Sequence, residues 1–151
     1  KSSRLHRELV YERGLAGDVS SFTWPTEGVG MLWAVATARP GVDAGELEEA
    51  LRETVRDLRD GGPEDEEVAG ARNRARRSLV GQLNSVGRRA DAFAHADVLR
   101  DDPDYVNQVF GCYDAVEREG VAGLARRVLQ PEELTVVRVV PEGSVRTEEA
   151  A

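Results

Sequence analysis

The two histidines are the residues of this sequence with the most capacity for metal or acid–base chemistry. His6 stands near Glu8 and Glu12 in "HRELVYE", and His95 precedes Asp97 in "HADVL". Ligands on a helix share a face when they lie three or four residues apart, whereas Glu8 lies two residues from His6 and Asp97 two residues from His95. The inverted zinc motif His-x-x-Glu-His is also absent from the sequence. We therefore predict no metal site in this chain, with both histidines at the surface or at its boundary.

The sequence also gives no evidence for a hydroxyl nucleophile or for a phosphate-binding loop. A catalytic serine needs a histidine within hydrogen-bonding reach. Neither histidine lies at a sequence spacing from Ser20, Ser21 or Ser78 that indicates such a pair. The "GVG" at 28–30 lacks the rest of a phosphate loop and falls in a predicted hairpin rather than before a helix. The sequence thus predicts no catalytic and no cofactor-binding residue in this chain.

One basic cluster, "RNRARR" at 72–77, is a candidate phosphate-binding surface. The alternative is the solvated face of a helix, paired with nearby acids. No aromatic residue interleaves with these arginines, and the chain carries a net charge of −8. Because phosphate binding needs concentrated positive charge, the solvated face is favoured, and neither nucleic acid nor a membrane is an expected partner.

Trp24 and Trp33 fall in two predicted strands. They could line a peptide groove, but strand tryptophans more often serve packing, and the packing interpretation is favoured. An edge strand of the same sheet could bind an extended peptide through main-chain groups, which requires no special side chain.

The composition is that of a globular domain, with 151 residues, of which 40% are apolar and 32% charged. The single cysteine, Cys112, excludes an internal disulfide, and its neighbours in "VFGCYDAV" predict a buried thiol. This is compatible with a reducing compartment and favours the cytoplasm over a secreted location. No apolar run approaches the ~20 residues that span a bilayer.

The first forty residues predict a helix and a β-hairpin. An apolar face runs along residues 3–13, and Gly14 is placed to end this helix. Strand composition marks "DVSSFTW" (18–24) and "VGMLWAVATA" (29–38), with "PTEG" (25–28) as the turn. The apolar second strand is expected to be central and covered by helices on at least one face.

Five helices and a final strand follow. Asp43 is the predicted N-cap of the first helix, Gly61 and Gly62 stop it, and Pro63 opens the second helix in its first turn. Apolar positions at helical spacing extend this second helix to Val86. The remaining predicted elements are helices over about 88–100, from 102 to about 113 and 117–129, and a strand "LTVVRVV" over 134–140.

This order of elements predicts an α+β fold in which helices pack on one face of an antiparallel sheet. Three strands are few for so many helices. We therefore expect a fragment of a longer chain that lacks an N-terminal strand and helix. The predicted module spans 1–143, and 144–151 are predicted to be a disordered tail.

Four blocks of the sequence, which together span nearly all of 2–143, form a recognisable series. They are "SSRLHRELVYERGLAGDVSSF", "GGPEDEEVAGARNRARRSLVGQL", "DDPDYVNQVFGCYDAV" and "LARRVLQPEELTVVRVVPEG". In their order these blocks resemble the pitrilysin/insulinase/mitochondrial-processing-peptidase family of zinc metallopeptidases, and each is similar to part of the C-terminal, non-zinc half-domain module of that family.

The resemblance implies a module without zinc that works with a zinc-bearing half, in the same chain or in a partner subunit. That half would carry His-x-x-Glu-His and zinc, so the parent protein or complex would be a zinc-dependent metallopeptidase, while this chain alone would not be an enzyme. This chain would form part of the substrate chamber for a peptide and part of the pairing surface. The alternative is an inactive scaffold or assembly module with no substrate role.

Two positions depart from the resembled family at its substrate contact. Its non-zinc modules carry an arginine and a tyrosine that hold the peptide backbone, and here those positions are Val10 and Gly17. Neither has a side-chain donor, and the neighbouring Tyr11 and Arg13 would point elsewhere on a regular helix. Either the peptide is held differently, or the module is mainly structural.

Overall fold

A computed structural model describes residues 3–25 and 30–141 of the chain. These residues form six helices, a short 3₁₀ turn and one antiparallel hairpin, which confirms the α+β fold class. They divide into a first unit, made of residues up to 60 together with those from 129 onward, and a second unit, Gly61–Val128. Most of the predicted turn at 25–28 and the whole predicted tail at 144–151 lie outside the described residues.

The opening helix is not the regular α-helix that was predicted over 3–13. One α-helical turn, α1 (Arg4–His6), continues as a π-helical segment, Arg7–Glu12. The amide of Arg13 donates to the carbonyl of Glu8, five residues back, at 2.9 Å. Gly14 then takes φ +66° and ends the helix, as predicted. The wider turn accompanies burial of two adjacent residues, Leu9 and Val10.

The predicted hairpin is confirmed, with strands β1 (Ala16–Pro25) and β2 (Gly30–Ala38). Phe22 faces Trp33 across the pair, and the register shifts between Ala16 and Asp18. The central position expected for β2 is wrong, because the sheet in the described part of the chain has only these two strands. Most of β2 is exposed as a result.

The core of the first unit lies between the opening helix, one end of the hairpin and helix α2 (Ala44–Gly61). Asp43 caps α2 as predicted, since its Oδ1 accepts from the amides of Gly45 (2.8 Å) and Glu46 (3.2 Å). Gly62, at φ +75°, follows the end of the helix. The buried apolar residues of this core are Leu9, Val10, Ala16, Val19, Leu47 and Ala50.

The second unit contains four helices, whose boundaries differ by a few residues from the predicted ones. Glu64 rather than Pro63 precedes α3, and its amide donates to the carboxylate of Glu67 at 2.8 Å. Ser85 has extended dihedrals, so the helix predicted to reach Val86 ends earlier and Val86 opens the next one. The helices are α3 (Asp65–Leu83), α4 (Val86–Arg100), α5 (Tyr105–Asp114) and α6 (Arg118–Val128).

The thiol of Cys112 is exposed, contrary to the prediction of a buried cysteine. On the same helix, α5, Val106 is the buried residue. Six positions separate the two along a helix of 3.6 residues per turn, so Cys112 points away from the side that Val106 buries. Apolar neighbours in sequence therefore did not decide the burial of this thiol.

Residues 134–140, which we call the Val-rich segment, do not form the predicted strand within the described part of the chain. The segment follows a 3₁₀ turn, Pro131–Glu133, and Leu134 has extended dihedrals of φ −76° and ψ 122°. A strand is defined by its pairing with a neighbour, and β1 and β2 pair only with each other among the described residues. The composition of the segment is that of a strand, but residues 3–25 and 30–141 contain no strand that pairs with it.

Candidate functional site

His6 is buried, with 6% of its surface exposed, whereas the sequence predicted a surface or boundary position. Its ring lies 5.0 Å from that of Tyr11, five residues along the π turn, at an interplanar angle of 52°. Its Nδ1 has no hydrogen-bond partner among the described residues. Burial without a polar partner is unusual for this group, because it carries the cost of lost hydration.

The acidic residues near His6 do not approach it as ligands. Glu8 and Glu12 both pair with Arg7, each at 3.5 Å. His95 belongs to the second unit and is exposed on α4, as predicted. Nowhere in residues 3–25 and 30–141 do three His, Cys, Asp or Glu side chains gather in a way that could hold a metal ion.

The two positions that depart from the family's substrate contact have different surroundings. Val10 is 8% exposed and belongs to the core, so its side chain points into the first unit. Gly17 is exposed on β1, next to the register shift. The structure thus offers no side-chain donor at either position.

Tyr11 and Arg13, the neighbouring residues with side-chain donors, both make contacts within the first unit. Arg13 donates from Nη1 to Oε2 of Glu53 on α2 at 2.6 Å, and this hydrogen bond raises the pKa of the guanidinium above its ordinary value. Tyr11 is 64% exposed but contacts the ring of His6. Both side chains are therefore engaged within the first unit.

The basic cluster at 72–77 has the intramolecular partners that a solvated helix face would have. Arg76 forms an ion pair of 2.7 Å with the carboxylate of Asp114, and Arg72 donates to the main-chain carbonyl of Asp114 at 3.2 Å. Arg76 and Asp114 are both about half exposed, which is typical of a surface pair.

An apolar surface lies on the side of the hairpin that faces away from the core. Residues directly opposite in an antiparallel pair share a face, and alternate residues along a strand do so too. Val19 and Ala36 face each other on the core side, so the pairs one residue further along face outward. We call this surface the hairpin outer face, and its apolar residues are Phe22, Trp24, Met31, Trp33 and Val35.

Aromatic rings dominate the hairpin outer face. The rings of Phe22 and Trp33 stack with centroids 6.0 Å apart and an interplanar angle of 4°. Trp24, opposite Met31, remains 59% exposed. Neither tryptophan is a core residue, and of the two only Trp33 has the packing that was predicted, against the ring of Phe22. Phe22, Met31 and Val35 were not predicted as surface residues of this face, although the alternation of side chains combined with the strand register identifies them.

Within the first unit, Arg138 joins the Val-rich segment to α2. Its Nε donates to Oε2 of Glu48 at 2.6 Å, and Arg52 donates to Oε1 of the same carboxylate at 2.8 Å. The hydrogen bonds from Arg52 and then from Arg138 lower the pKa of Glu48 below its ordinary value. Only 15% of the Glu48 side chain is exposed, so this pairing is partly protected from solvent.

Residues 1–75 match the family described as the peptidase M16 inactive domain. These residues belong to that family. The match confirms the predicted resemblance to the C-terminal, non-zinc module of the zinc metallopeptidases. It covers the opening helix, the hairpin, α2 and the first part of α3.

One similar protein is the uncharacterized zinc protease YmxG of Bacillus subtilis (strain 168), which is 26% identical over 147 residues. That alignment covers 95% of this chain but 35% of YmxG, so the chain spans about a third of this relative's length.

Solved structures share the fold at low identity. The crystal structure of an inactive peptidase domain from Bordetella parapertussis has a TM-score of 0.78 at 22% identity, covering 93% of this chain and 75% of that one. The periplasmic protease PqqL of Escherichia coli has a TM-score of 0.62 at 20% identity, covering 82% of this chain and 14% of that one. The same fold thus also occurs within a much longer chain.

Among the helices described here, none is long and apolar enough to cross a membrane.

Proposed function

We propose that this chain is the non-catalytic module of a zinc metallopeptidase and that it forms part of the wall of the substrate chamber. The observation that carries this proposal is the hairpin outer face, an aromatic surface exposed on a module of the inactive-domain family. Exposed apolar patches of this kind are typical of surfaces that bind other polypeptides.

The chemistry would be divided between two halves. Zinc, when bound in the partner half, would supply a Lewis acid and an activated water there. Residues of this chain would bind apolar stretches of the peptide and exclude water from them. The rings of Phe22 and Trp33 are already stacked, so little side-chain entropy would be lost when a peptide binds against them.

The loss of side-chain donors at Val10 and Gly17 bears on how a peptide is held. Main-chain groups and apolar contacts would replace the arginine and tyrosine of related modules. The same loss favours the alternative function, an inactive scaffold or assembly module with no role in substrate binding.

A peptide-hydrolysis assay separates the two functions. The chain is assayed alone and together with its zinc-bearing half, with and without a chelator. Hydrolysis only in the combination, abolished by the chelator, is expected. Absence of hydrolysis from the combination would support the scaffold.

Variants of the hairpin outer face test its contact with the peptide. Trp24→Ser and Trp33→Ser should each lower kcat/KM by about three- to tenfold, because each removes the binding free energy of one aromatic contact. Leu99→Ser, at an exposed position of α4, is the matched control and should leave kcat/KM unchanged. Equal kcat/KM for all three variants and the wild type would show that this face does not line the chamber.

The cytoplasmic location expected from the sequence also stays a proposal. A single cysteine supports it, because secreted proteins of this size often rely on disulfides. PqqL of Escherichia coli is a periplasmic protease, but that location is a property of PqqL. Cell fractionation would test the location, and recovery from the periplasm would contradict it.

A further inference from the structure

An open polar depression of about 300 Å³ lies on the surface of the second unit, within that unit alone. Arg88, Asp91, Ala92 and His95 line it from α4, and Gln82 lines it from the last turn of α3. The three charged or ring-bearing residues of α4 are spaced by three and four positions, so they share one face of the helix. The depression therefore brings together a guanidinium, a carboxylate, an imidazole and an amide.

The polar side chains of this depression have no polar partner among the described residues. Arg88 and Asp91 carry opposite charges and lie three residues apart, a spacing at which helical side chains commonly pair. They nevertheless form no ion pair with each other, and neither forms one with another residue in the described part of the chain. Both charges are exposed. They are therefore available to a ligand that lies between them.

The arginines around the depression favour a ligand that carries negative charge. Residues 68–90 contain six arginines and neither aspartate nor glutamate, although the net charge of the whole chain is −8. Arg72 and Arg76 in this stretch are held by contacts with Asp114, whereas Arg88 is not. Because concentrated positive charge attracts anions, a carboxylate group is the expected partner of Arg88.

Asp91 distinguishes this surface from a simple anion site. A carboxylate repels a second anion placed beside it, but it accepts hydrogen bonds from an ammonium group. A ligand that fits both Arg88 and Asp91 therefore carries a negative and a positive charge close together. Of the described residues that line the depression, Ala92 alone is apolar, which favours a ligand with little apolar surface.

We propose that this depression binds a free α-amino acid with a small side chain, as its zwitterion. The guanidinium of Arg88 would donate two hydrogen bonds to the carboxylate of the amino acid, and the carboxylate of Asp91 would accept from its ammonium group. Gln82 and His95 would supply further hydrogen bonds. In an α-amino acid a single carbon separates the two charged groups, which suits helix residues whose Cβ atoms lie about 5–6 Å apart. The proposal does not depend on the proposed function.

Titration of the 151-residue chain with L-alanine, followed by amide chemical shifts in NMR spectra, tests the proposal. Alanine should shift the resonances of residues 88–95 with a Kd on the order of 1 mM, because a small ligand on an exposed surface makes few contacts. Propionate and ethylammonium each carry only one of the two charges. Each should bind at least about tenfold more weakly than alanine.

Two variants test the assigned charges. Arg88→Gln and Asp91→Asn each remove one charge and keep a polar side chain, and each should weaken alanine binding at least about fivefold. Arg89→Gln and Asp97→Asn are the matched controls, because they make the same charge changes at exposed positions on other sides of α4. Both control variants should bind alanine like the wild type.

The other outcomes would overturn the proposal. Propionate binding as tightly as alanine would indicate a general anion site. Trialanine binding as tightly would show that the two charges are recognised separately, because its terminal charges lie far apart. Equal weakening by the two control variants would attribute binding to net charge. Absence of shifts up to about 50 mM alanine would show that the depression binds no amino acid of this kind.

Discussion

The guanidinium group of Arg39 donates a hydrogen bond of 3.0 Å from Nη2 to the main-chain carbonyl of Val10. Its Nε donates to the carbonyl of Ala16 at 3.1 Å. One side chain at the end of β2 therefore joins the π-helical segment to the start of β1. Carbonyls at the end of a helix lack intrahelical donors, and here a side chain supplies one.

Arg39→Met should lower the free energy of unfolding by about 2 kcal/mol, because two hydrogen bonds are lost at partly buried carbonyls. Urea denaturation followed by circular dichroism measures the change. Arg77→Met, at an exposed position of α3, is the control and should stay within about 0.5 kcal/mol of the wild type. An unchanged midpoint for Arg39→Met would mean that water satisfies these carbonyls equally well.

His6→Phe should leave the protein as stable as the wild type or raise its stability by about 1 kcal/mol. The buried Nδ1 has no partner among the described residues, so its removal relieves a desolvation cost. Phenylalanine keeps a ring against Tyr11. His95→Phe, at an exposed position, is the control for the added apolar ring. Strong destabilisation by His6→Phe alone would indicate that Nδ1 has a partner in solution.

Glu48→Gln should destabilise the protein at neutral pH by about 1 kcal/mol, because two arginines lose their anionic partner. The lowered pKa of Glu48 means that its ionised form is favoured by folding. The stabilisation is therefore complete above the ordinary glutamate pKa near 4.5 and disappears as the pH falls through the lowered value.

Thermal unfolding of both proteins between pH 7 and pH 3 tests this expectation for Glu48. The gap in Tm between wild type and Glu48→Gln should narrow in the acid range. Glu49→Gln removes a carboxylate that is 67% exposed on the same helix, and it should have little effect at any pH. A gap that stays constant down to pH 3 would contradict the coupling of Glu48 to its arginines.

Substitution of two glycines by alanine should have opposite effects. Gly14 has φ +66°, where alanine is strained, so Gly14→Ala should cost about 1 kcal/mol. Gly81 lies inside α3 with nothing within 4 Å of an added Cβ, so Gly81→Ala should stabilise by up to about 1 kcal/mol. Denaturation midpoints measure both. A stabilising Gly14→Ala would show that the helix ends in another conformation in solution.

Local sequence signals predicted most helices of this fold. The two ends of α2 were predicted correctly. Asp43 caps its start and Gly62 follows its end, and both signals depend only on residues close in sequence. The helix boundary at Val86 was missed because apolar spacing continues across the turn and does not reveal it. The exposed thiol of Cys112 shows the same limit, since burial depends on which side of α5 faces its neighbours.

The candidate surface was harder to predict than the helices. Composition identified both strands, but the side on which Trp24 and Trp33 lie follows from register, and register follows from pairing. Strand composition at 134–140 likewise cannot specify a partner. The burial of the His6 ring depends on the π-helical segment, and the spacing of apolar residues did not distinguish this segment from a regular α-helix.

The core touches the hairpin only near Val19 and Ala36, at the end next to Arg39. From Ser21 and Ala34 outward, the described residues of both strands are exposed on both faces. The hairpin outer face therefore lies at the end of the hairpin that does not pack on the core, while the other end is held in place by it. A two-stranded hairpin held at one end can bend and twist at the other. Under the proposed function, this would let it bind peptides of varied sequence rather than select one.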